Sequence, residues 1–400
     1  MNILQLCNKP PYPPLEGGSM AMHAMTQGLI DKGHQVKVLA VSSFKNRASA
    51  ESLPEWYVQA CQFEAVFVDL KVKPFAAFLN LFSSESYHVQ RFISKDFENK
   101  LITILQQQSF DIVQLETLYL TPYISVIRKY SNAKIILRSH NVEHLIWERI
   151  AAGVKNPFKK YFLKHLAATL KNYEIAALNK YDGILAISNT DATTFRQLGC
   201  NIALACISFG VDLEKYSIDT NSQSADLFHI GAMNWIPNQE GIHWFLENVW
   251  PLIHQEMPDL KFYLAGRTMP KWLLNSDYPN VEILGEVEDA KLFIQSKGIM
   301  IVPLFSGSGL RIKMIEAMAM GKVVITTTIG AEGINIRNHE NCMIADTIDE
   351  FKMAVIEMLQ HHEKRTLIAH NARQLIEKEH DNVVLTDKLI AFYKQIRRKD

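Results

Sequence analysis

Two successive series of short apolar, β-branched runs, each run followed by a helix-length segment, constrain this 400-residue chain more than any other feature. In the first series Asn2–Cys7, Gln35–Ser42, Glu64–Asp69, Asp111–Glu116, Lys134–Ser139, Gly183–Ser188 and Ile202–Ser208 read as strands. Helical stretches lie between most of them, at Ser19–Lys32, Glu85–Gln107, Leu118–Tyr130, Pro157–Lys180 and Thr190–Leu198. Ser19 is the candidate cap of the first helix, after a Pro-rich loop closing on Gly17-Gly18. Strands joined by helices pair in parallel through right-handed crossovers. A polar segment, Ser217–Asp226, interrupts the pattern and reads as a linker. A second series follows, with strands at Leu227–Gly231, Leu260–Gly266, Val281–Leu284, Gly298–Pro303, Lys322–Thr327 and Asn341–Ala345. Its helices fall at Asn238–Met257, Asp289–Ser296, Leu310–Met320 and Ile348–Leu359, and a helical tail from Glu363 breaks near His380-Asp381. The expected architecture is α/β: two Rossmann-like parallel-sheet domains facing a cleft. Ligands of such sheets sit at the carboxyl ends of the strands, and a cleft between two halves suits a small molecule.

Composition and missing motifs narrow the function classes. Lys+Arg and Asp+Glu both number 42, so the basic surplus of a nucleic-acid binder is absent. The five cysteines, at 7, 61, 200, 206 and 342, show neither zinc spacing nor a disulfide framework. They are expected to be small buried hydrophobes in a reducing compartment. No run approaches 18 apolar residues, and the opening MNILQLCNKPPYPP lacks a basic start and a cleavage site. The expectation is a cytoplasmic protein. Asp-x-Asp, HExxH, GxSxG, the Walker lysine loop and GxGxxG are all missing. Hydride transfer with a nicotinamide cofactor therefore loses its support, and no metal clamp is evident.

The densest chemical signal is Pro303–Gly321, PLFSGSGLRIKMIEAMAMG. A strand ends at Pro303, the small residues Ser306, Gly307, Ser308 and Gly309 follow, and a helix begins that carries Arg311, Lys313 and Glu316. Small residues let backbone N–H groups approach a phosphate, and the helix start adds positive dipole. Two cations and a carboxylate on one helix face suit a nucleoside diphosphate, the cations for phosphates and the carboxylate for ribose hydroxyls. The plain structural alternative is a loop-to-helix turn with a surface Lys313–Glu316 pair. Gly17-Gly18 would allow close backbone approach to a ligand or simply form a turn. His140, after a strand, reads either as a site residue or as a polar loop residue capping the next helix. Glu143 would orient His140, bind an acceptor hydroxyl or belong to an ordinary polar helix start.

Together these stretches resemble the retaining, group 1 glycosyltransferases of family 4, which have the GT-B fold. The matching pieces are GLRIKMIEAMAMGKVVITT with Gly330–Gly333, Gly17-Gly18, Ser139–Glu143 (SHNVE), Gly183–Asp191 and Phe209–Asp212 (FGVD). His229–Asn234 (HIGAMN) and Leu264–Arg267 (LAGR) add to them, in the family's order along almost the whole chain. The resemblance implies an acceptor-side domain over 1–212, a donor domain over 213–378 and a C-terminal helix, 379–400, packing back on the first. It implies transfer of a hexosyl or deoxyhexosyl group from a nucleotide-diphosphate sugar to a glycan, lipid-linked or other hydroxyl acceptor, with retention. Bacterial surface polysaccharide or glycoconjugate synthesis is the implied setting, with no metal and no cofactor beyond the sugar donor. Catalytic roles fall on His140, Arg311 and Lys313. Donor binding falls on Gly17, Gly18, Asn234, Arg267, Val287, Ser306, Gly307, Ser308, Gly309, Leu310 and Glu316, and acceptor binding on Ser139, Asn141 and Glu143.

Two departures from the family pattern stand out. The first of its two glutamates, eight positions before Glu316, falls on Ser308. The basic pair that many members carry after Asn234 is replaced by Trp235–Asn238 (WIPN), so Arg311 and Lys313 are expected to substitute. A binding protein without turnover and a sugar-nucleotide epimerase remain the alternative readings. Finally, Lys155, Lys159, Lys160, Lys164 and Lys171 interleave with Phe158, Tyr161, Phe162, Leu163 and Leu166. Residues 155–171 then form an amphipathic helix whose cationic face is either solvated or set against the inner membrane surface.

Overall fold

Seven parallel strands make the first sheet of the computed structural model, which describes residues 1–218, 225–307 and 309–398. They are β1 (Asn2–Cys7), β2 (Gln35–Ser42), β3 (Glu64–Phe67), β4 (Ile112–Leu115), β5 (Lys134–Ser139), β6 (Gly183–Ala186) and β7 (Ala203–Cys206), in the order β3-β2-β1-β4-β5-β6-β7. Helices cover both faces, which is why strands such as β4 (IVQL) and β6 (GILA) are buried throughout instead of alternating. The strand order reverses where β1 pairs with both β2 and β4, in the register Ile3↔Val36 and Ile3↔Ile112. Such a switch point opens a crevice at the carboxyl ends of its strands.

The second sheet has six strands: β8 (Leu227–Ile230), β9 (Phe262–Ala265), β10 (Val281–Gly285), β11 (Ile299–Val302), β12 (Val323–Thr326) and β13 (Met343–Ile344). Its order, β10-β9-β8-β11-β12-β13, reverses between β8 and β11. Phe245, Trp250, Phe262 and Phe351 fill a core of its own.

The chain divides into two compact units, Met1–Ser208 with Leu385–Asp400, and Phe209–Val384. The first boundary lies at Ser208 because the next residues are bonded into the second unit. His380 Nδ1 donates to Phe209 O at 2.8 Å, Val211 N donates to His380 O at 2.8 Å, and Asn382 N donates to Val211 O at 3.0 Å. Of the expected linker 217–226, residues 219–224 lie outside the described residues. The return to the first unit happens within the last helix, Asn382–Arg397, whose Leu389, Phe392, Tyr393 and Ile396 are buried with Ile3, Val38 and Ile112. Gly183 on β6 accommodates it: a Cβ there would sit 2.9 Å from Phe392 Cζ, so only hydrogen fits.

Helix boundaries depart from the sequence expectation for local reasons. Gly17 and Gly18 form the first turn of the helix Gly17–Asp31, not the loop before it, and Glu16 takes the cap position expected for Ser19. The segment 85–107 splits into Tyr87–Gln90 and Lys95–Gln107, because Ser94 accepts from Phe97 N and starts a new helix. The segment 238–257 contains a π turn, Phe245–Val249, ahead of Pro251, which has no N–H to continue the α-helical ladder.

Candidate active site

In the second unit, polar side chains converge beyond the carboxyl ends of β8 and β11. Met314, Ile315, Ala317, Met318 and Ala319 bury one face of the helix Ile312–Ala319, which leaves Lys313 and Glu316 for its other face. Lys313 Nζ lies 2.8 Å from Asn238 Oδ1 and 3.3 Å from Nε2 of the buried His229. His229 Nδ1 lies 2.7 Å from Ile301 O. A carbonyl only accepts, so Nδ1 carries the hydrogen and the Nε2 lone pair faces the ammonium. Burial, with the charge of Lys313, holds His229 well below the usual histidine range. Burial and then the Arg311 charge lower Lys313 itself to about 7. Both of its hydrogen-bond partners are neutral, so nothing in this cluster offsets its charge when protonated.

Gly231 keeps this cluster open. A Cβ there would lie 2.8 Å from Asn238 Nδ2, 3.2 Å from Lys313 Nζ and 3.3 Å from His229 Nε2. Gly231→Ala is expected to cost about 1–3 kcal/mol of stability by overpacking, measured by thermal unfolding.

The remaining predicted residues of this unit take different roles. Lys313 and Glu316 do not form the surface pair of the plain alternative: Glu316 Oε1 instead accepts from Tyr216 OH at 2.7 Å. Burial raises the Glu316 carboxyl, against that bond and the charge of Lys291. Arg311 precedes the helix as its cap residue, is buried, and donates through a terminal nitrogen to Gly309 O, fastening the loop beneath Lys313. Its guanidinium lies 5.4 Å from the Trp235 ring. Ser306 Oγ donates to Glu240 Oε2 at 3.0 Å, and Gly307 and Gly309 both have positive φ, at 97° and 84°. Leu310 and Val287 are half-buried in loops. Asn234 and Arg267 are exposed on two loops joined by Met233 N donating to Arg267 O at 2.9 Å. Ser308 lies outside the described residues.

In the first unit, the site forms where β4 and β5 end. Glu116, just past β4, is fully buried. Its Oε2 lies 3.1 Å from Arg138 NH1 and 3.0 Å from His140 Nε2, and Gln114 donates to its other oxygen. Burial alone would raise this carboxyl; the charge of Arg138 and the bonds from His140 and Gln114 prevail and hold it at about 2. Burial lowers His140, more than the adjacent carboxylate raises it. The imidazole is therefore neutral near pH 7, with Nε2–H donating to Glu116 and the Nδ1 lone pair left over. Lys9 adds a repelling charge to His140, ion-pairs with Glu16 at 2.6 Å, and would lie 3.3 Å from a Cβ on Gly18. Tyr393 of the last helix hydrogen-bonds Gln114, so that helix reaches the His140–Glu116 pair through one side chain.

His140 is thus oriented by Glu116 and not by Glu143. Glu143 is buried and accepts from Tyr119 OH at 2.7 Å. Burial, with the nearby Glu174 charge, pushes its carboxyl up to about 7 despite that bond. Helix capping, expected from the polar residues at 140–143, is done by Glu174: its oxygens accept from Glu143 N at 3.1 Å and His144 N at 3.2 Å. Ser139 Oγ donates to Asn141 O at 2.6 Å, bracing the loop that carries His140.

Glu116, Asn238, Tyr216 and Lys9 were not singled out from the sequence, and His229 appeared only within a matching stretch. For Glu116 a signal existed. Arg138 lies inside a strand expected to be covered on both faces, and a buried cation requires a buried carboxylate. Among the described residues no three His, Cys, Asp or Glu side chains cluster so as to hold a metal ion. No described helix is long and apolar enough to cross a membrane.

Comparison with known proteins agrees with the two-sheet fold. A family model described as Glycosyltransferase Family 4 matches residues 15–215, and one described as Glycosyl transferases group 1 matches residues 224–361. An uncharacterized 44.6 kDa protein in the cps region of Klebsiella pneumoniae is 22% identical over 385 residues, 93% of this chain and 94% of that one. Among solved structures, sucrose-phosphate synthase from Thermosynechococcus elongatus superposes with a TM-score of 0.71 at 13% identity, covering 99% of each chain. HepE of Anabaena, in complex with UDP, gives 0.68 at 14% identity over 99% of this chain and 100% of that one. HepE has also been solved with UDP-glucose. These likenesses show the fold, two parallel-sheet α/β domains of the GT-B kind.

Proposed function

Because this chain belongs to glycosyltransferase family 4, we propose that it transfers a sugar from a nucleotide-diphosphate donor to a glycan or lipid-linked hydroxyl, with retention of configuration. The observation that carries the reading is Lys313, a cation lowered to about 7 whose hydrogen-bond partners are the neutral Asn238 and His229. A diphosphate supplies the anion this cluster lacks. In glycosyl transfer the sugar–phosphate bond breaks through an oxocarbenium-like state and charge collects on the leaving diphosphate. Lys313 and the start of the helix Ile312–Ala319 stabilise that charge as it develops. Arg311 acts from beneath, by holding the loop and contributing its field. Glu316, held by Tyr216 through one oxygen, offers the other to the ribose hydroxyls. In the first unit, His140 Nδ1 accepts from a sugar hydroxyl while Glu116 fixes the ring. The leaving phosphate takes the acceptor proton on the face from which it departs, so retention requires no separate carboxylate base.

The setting we propose is surface-polysaccharide synthesis, supported by the relative in the Klebsiella cps region. The UDP and UDP-glucose complexes of HepE support a nucleoside diphosphate as the leaving group. Since Lys313 and the helix start supply the positive charge, turnover is expected to persist in the presence of a chelator.

A thermal-shift screen against nucleotide sugars tests the donor, because a ligand of the native state raises the melting temperature by mass action. One nucleotide-sugar class should raise it; no shift with any would overturn the donor site. Release of nucleoside diphosphate on adding an acceptor extract then separates a transferase from a binding protein. A pH series adds a check. An anion beside Lys313 raises its pKa, so binding takes up a proton above pH 7. Donor affinity is expected to fall as pH rises from about 7 to 9, measured by calorimetry in buffers of different ionisation enthalpy.

A further inference from the structure

We propose that the aromatic face of the helix Pro74–Asn80, with the lysine face of the helix Pro157–Ala177 beside it, is a docking surface for an anionic lipid bilayer. The inference is independent of the donor chemistry. Phe75, Phe78 and Leu79 on this helix and Phe82 in the turn that ends it recur at the spacing of one helix face, which ordinarily marks a stripe buried in a core. Here the stripe points to solvent: Phe75 is 74% exposed and Phe82 80% exposed, and Phe78 and Leu79 are exposed as well. Phe78 and Phe82 meet edge to face, with centroids 5.7 Å apart, so the stripe packs on itself and not on the sheet.

The second helix is tied to the first where His165 Nε2 donates to Asn80 O at 2.9 Å. Leu163 and Leu166 on that helix are buried against Tyr87 and Ala151, which fixes its opposite face outward. Around the start of that helix Phe158, 87% exposed, and Tyr161, 70% exposed, stand among Lys155, just before the helix, and Lys159 and Lys164, all exposed. No Asp or Glu occurs between Glu148 and Glu174, nor between Asp69 and Glu85, while Lys71 and Lys73 flank the aromatic stripe. Lys73 is ion-paired with Asp69 at 3.7 Å, so the positive charge rests on Lys155, Lys159 and Lys164. Lysines beside protruding aromatic rings match the interface of an anionic membrane: ammonium groups at the headgroups, rings at the acyl boundary. A protein partner burying the stripe would not call for the surrounding belt of one charge sign.

The test is co-sedimentation of the full chain with phosphatidylcholine vesicles made with or without phosphatidylglycerol. The chain should pellet with the phosphatidylglycerol vesicles and be released at high salt, as the Debye length falls from about 10 Å at 0.1 M to about 3 Å at 1 M. The combined variant Phe75→Ser, Phe78→Ser, Phe82→Ser should stay in solution with its circular dichroism unchanged. Lys159→Glu with Lys164→Glu should weaken binding by at least about fivefold per residue. Phe78→Trp provides an independent readout, its emission shifting to the blue when anionic vesicles are added. Failure to pellet with anionic vesicles, equal pelleting of the aromatic variant, or a dimer of the parent chain that becomes monomeric in that variant would each overturn the proposal.

Discussion

Lys313→Ala is expected to reduce kcat by at least about 10²–10³-fold, the size of loss seen when one preorganised donor to a developing anion is removed. The loss should appear in kcat more than in KM, because the ammonium interacts most strongly with the diphosphate when its charge has grown. Folding should be intact or improved. Lys313 titrates near 7 in the folded chain, below the ordinary lysine value, so protonation works against the folded state. Stability of the ligand-free protein should therefore rise as pH increases from about 7 toward the ordinary lysine range, and Lys313→Ala should remove that slope. Lys313→Arg is not expected to rescue. Asn238 Oδ1 and His229 Nε2 accept from a compact ammonium, and a planar guanidinium would not fit beside Gly231. Near-normal turnover by Lys313→Ala would remove the leaving-group assignment.

Glu116→Ala is expected to destabilise the first unit by about 3–5 kcal/mol, because it leaves Arg138 as an uncompensated buried charge. Glu116→Gln is the more informative variant, since it keeps the shape. The wild-type carboxyl titrates at about 2, below its usual 4.5. Its stabilising contribution is complete above the usual carboxylate pKa and is lost as pH falls toward about 2. Urea unfolding of Glu116→Gln between pH 5 and pH 2 should therefore lack part of the acid dependence of the parent. Activity should fall as well, because the amide can turn its nitrogen toward His140 and reverse which ring nitrogen carries the hydrogen. A loss in kcat together with a displaced pH profile would mark Glu116 as the residue that positions His140. A change in stability with an unmoved profile would leave it a structural group.

Much of the fold was legible because strand burial and helix length are written in local pattern. The runs ILQLC, IVQL and GILA are apolar without alternation, as a sheet covered on both faces requires, and each became a buried strand. The break at His380-Asp381 was also visible, and the structure ends one helix at Glu379 and starts the next at Asn382. The helix of Arg311, Lys313 and Glu316 was found from its small-residue loop and its charges. Its internal division of labour was not. Lys313 and Glu316 are three residues apart, a spacing that suggests a pair, yet each binds a side chain from elsewhere in the second unit. Glu143 illustrates the same limit. Its proximity to His140 in sequence suggested a contact, but Tyr119 holds one and Glu116 the other.

Sequence alone determined the two-sheet α/β plan, the family and the positions of Lys313 and His140, since each depends on residue type and on spacing within one strand–loop–helix unit. Only the tertiary structure decided their chemistry. Whether a side chain is charged, and which of its atoms is free to act, depends on burial and on partners brought from distant segments: Asn238 and His229 to Lys313, Glu116 and Arg138 to His140. Desolvation acts through space, so the shift of Lys313 to about 7 follows first from its packed surroundings and only second from the charge of Arg311, its neighbour along the chain.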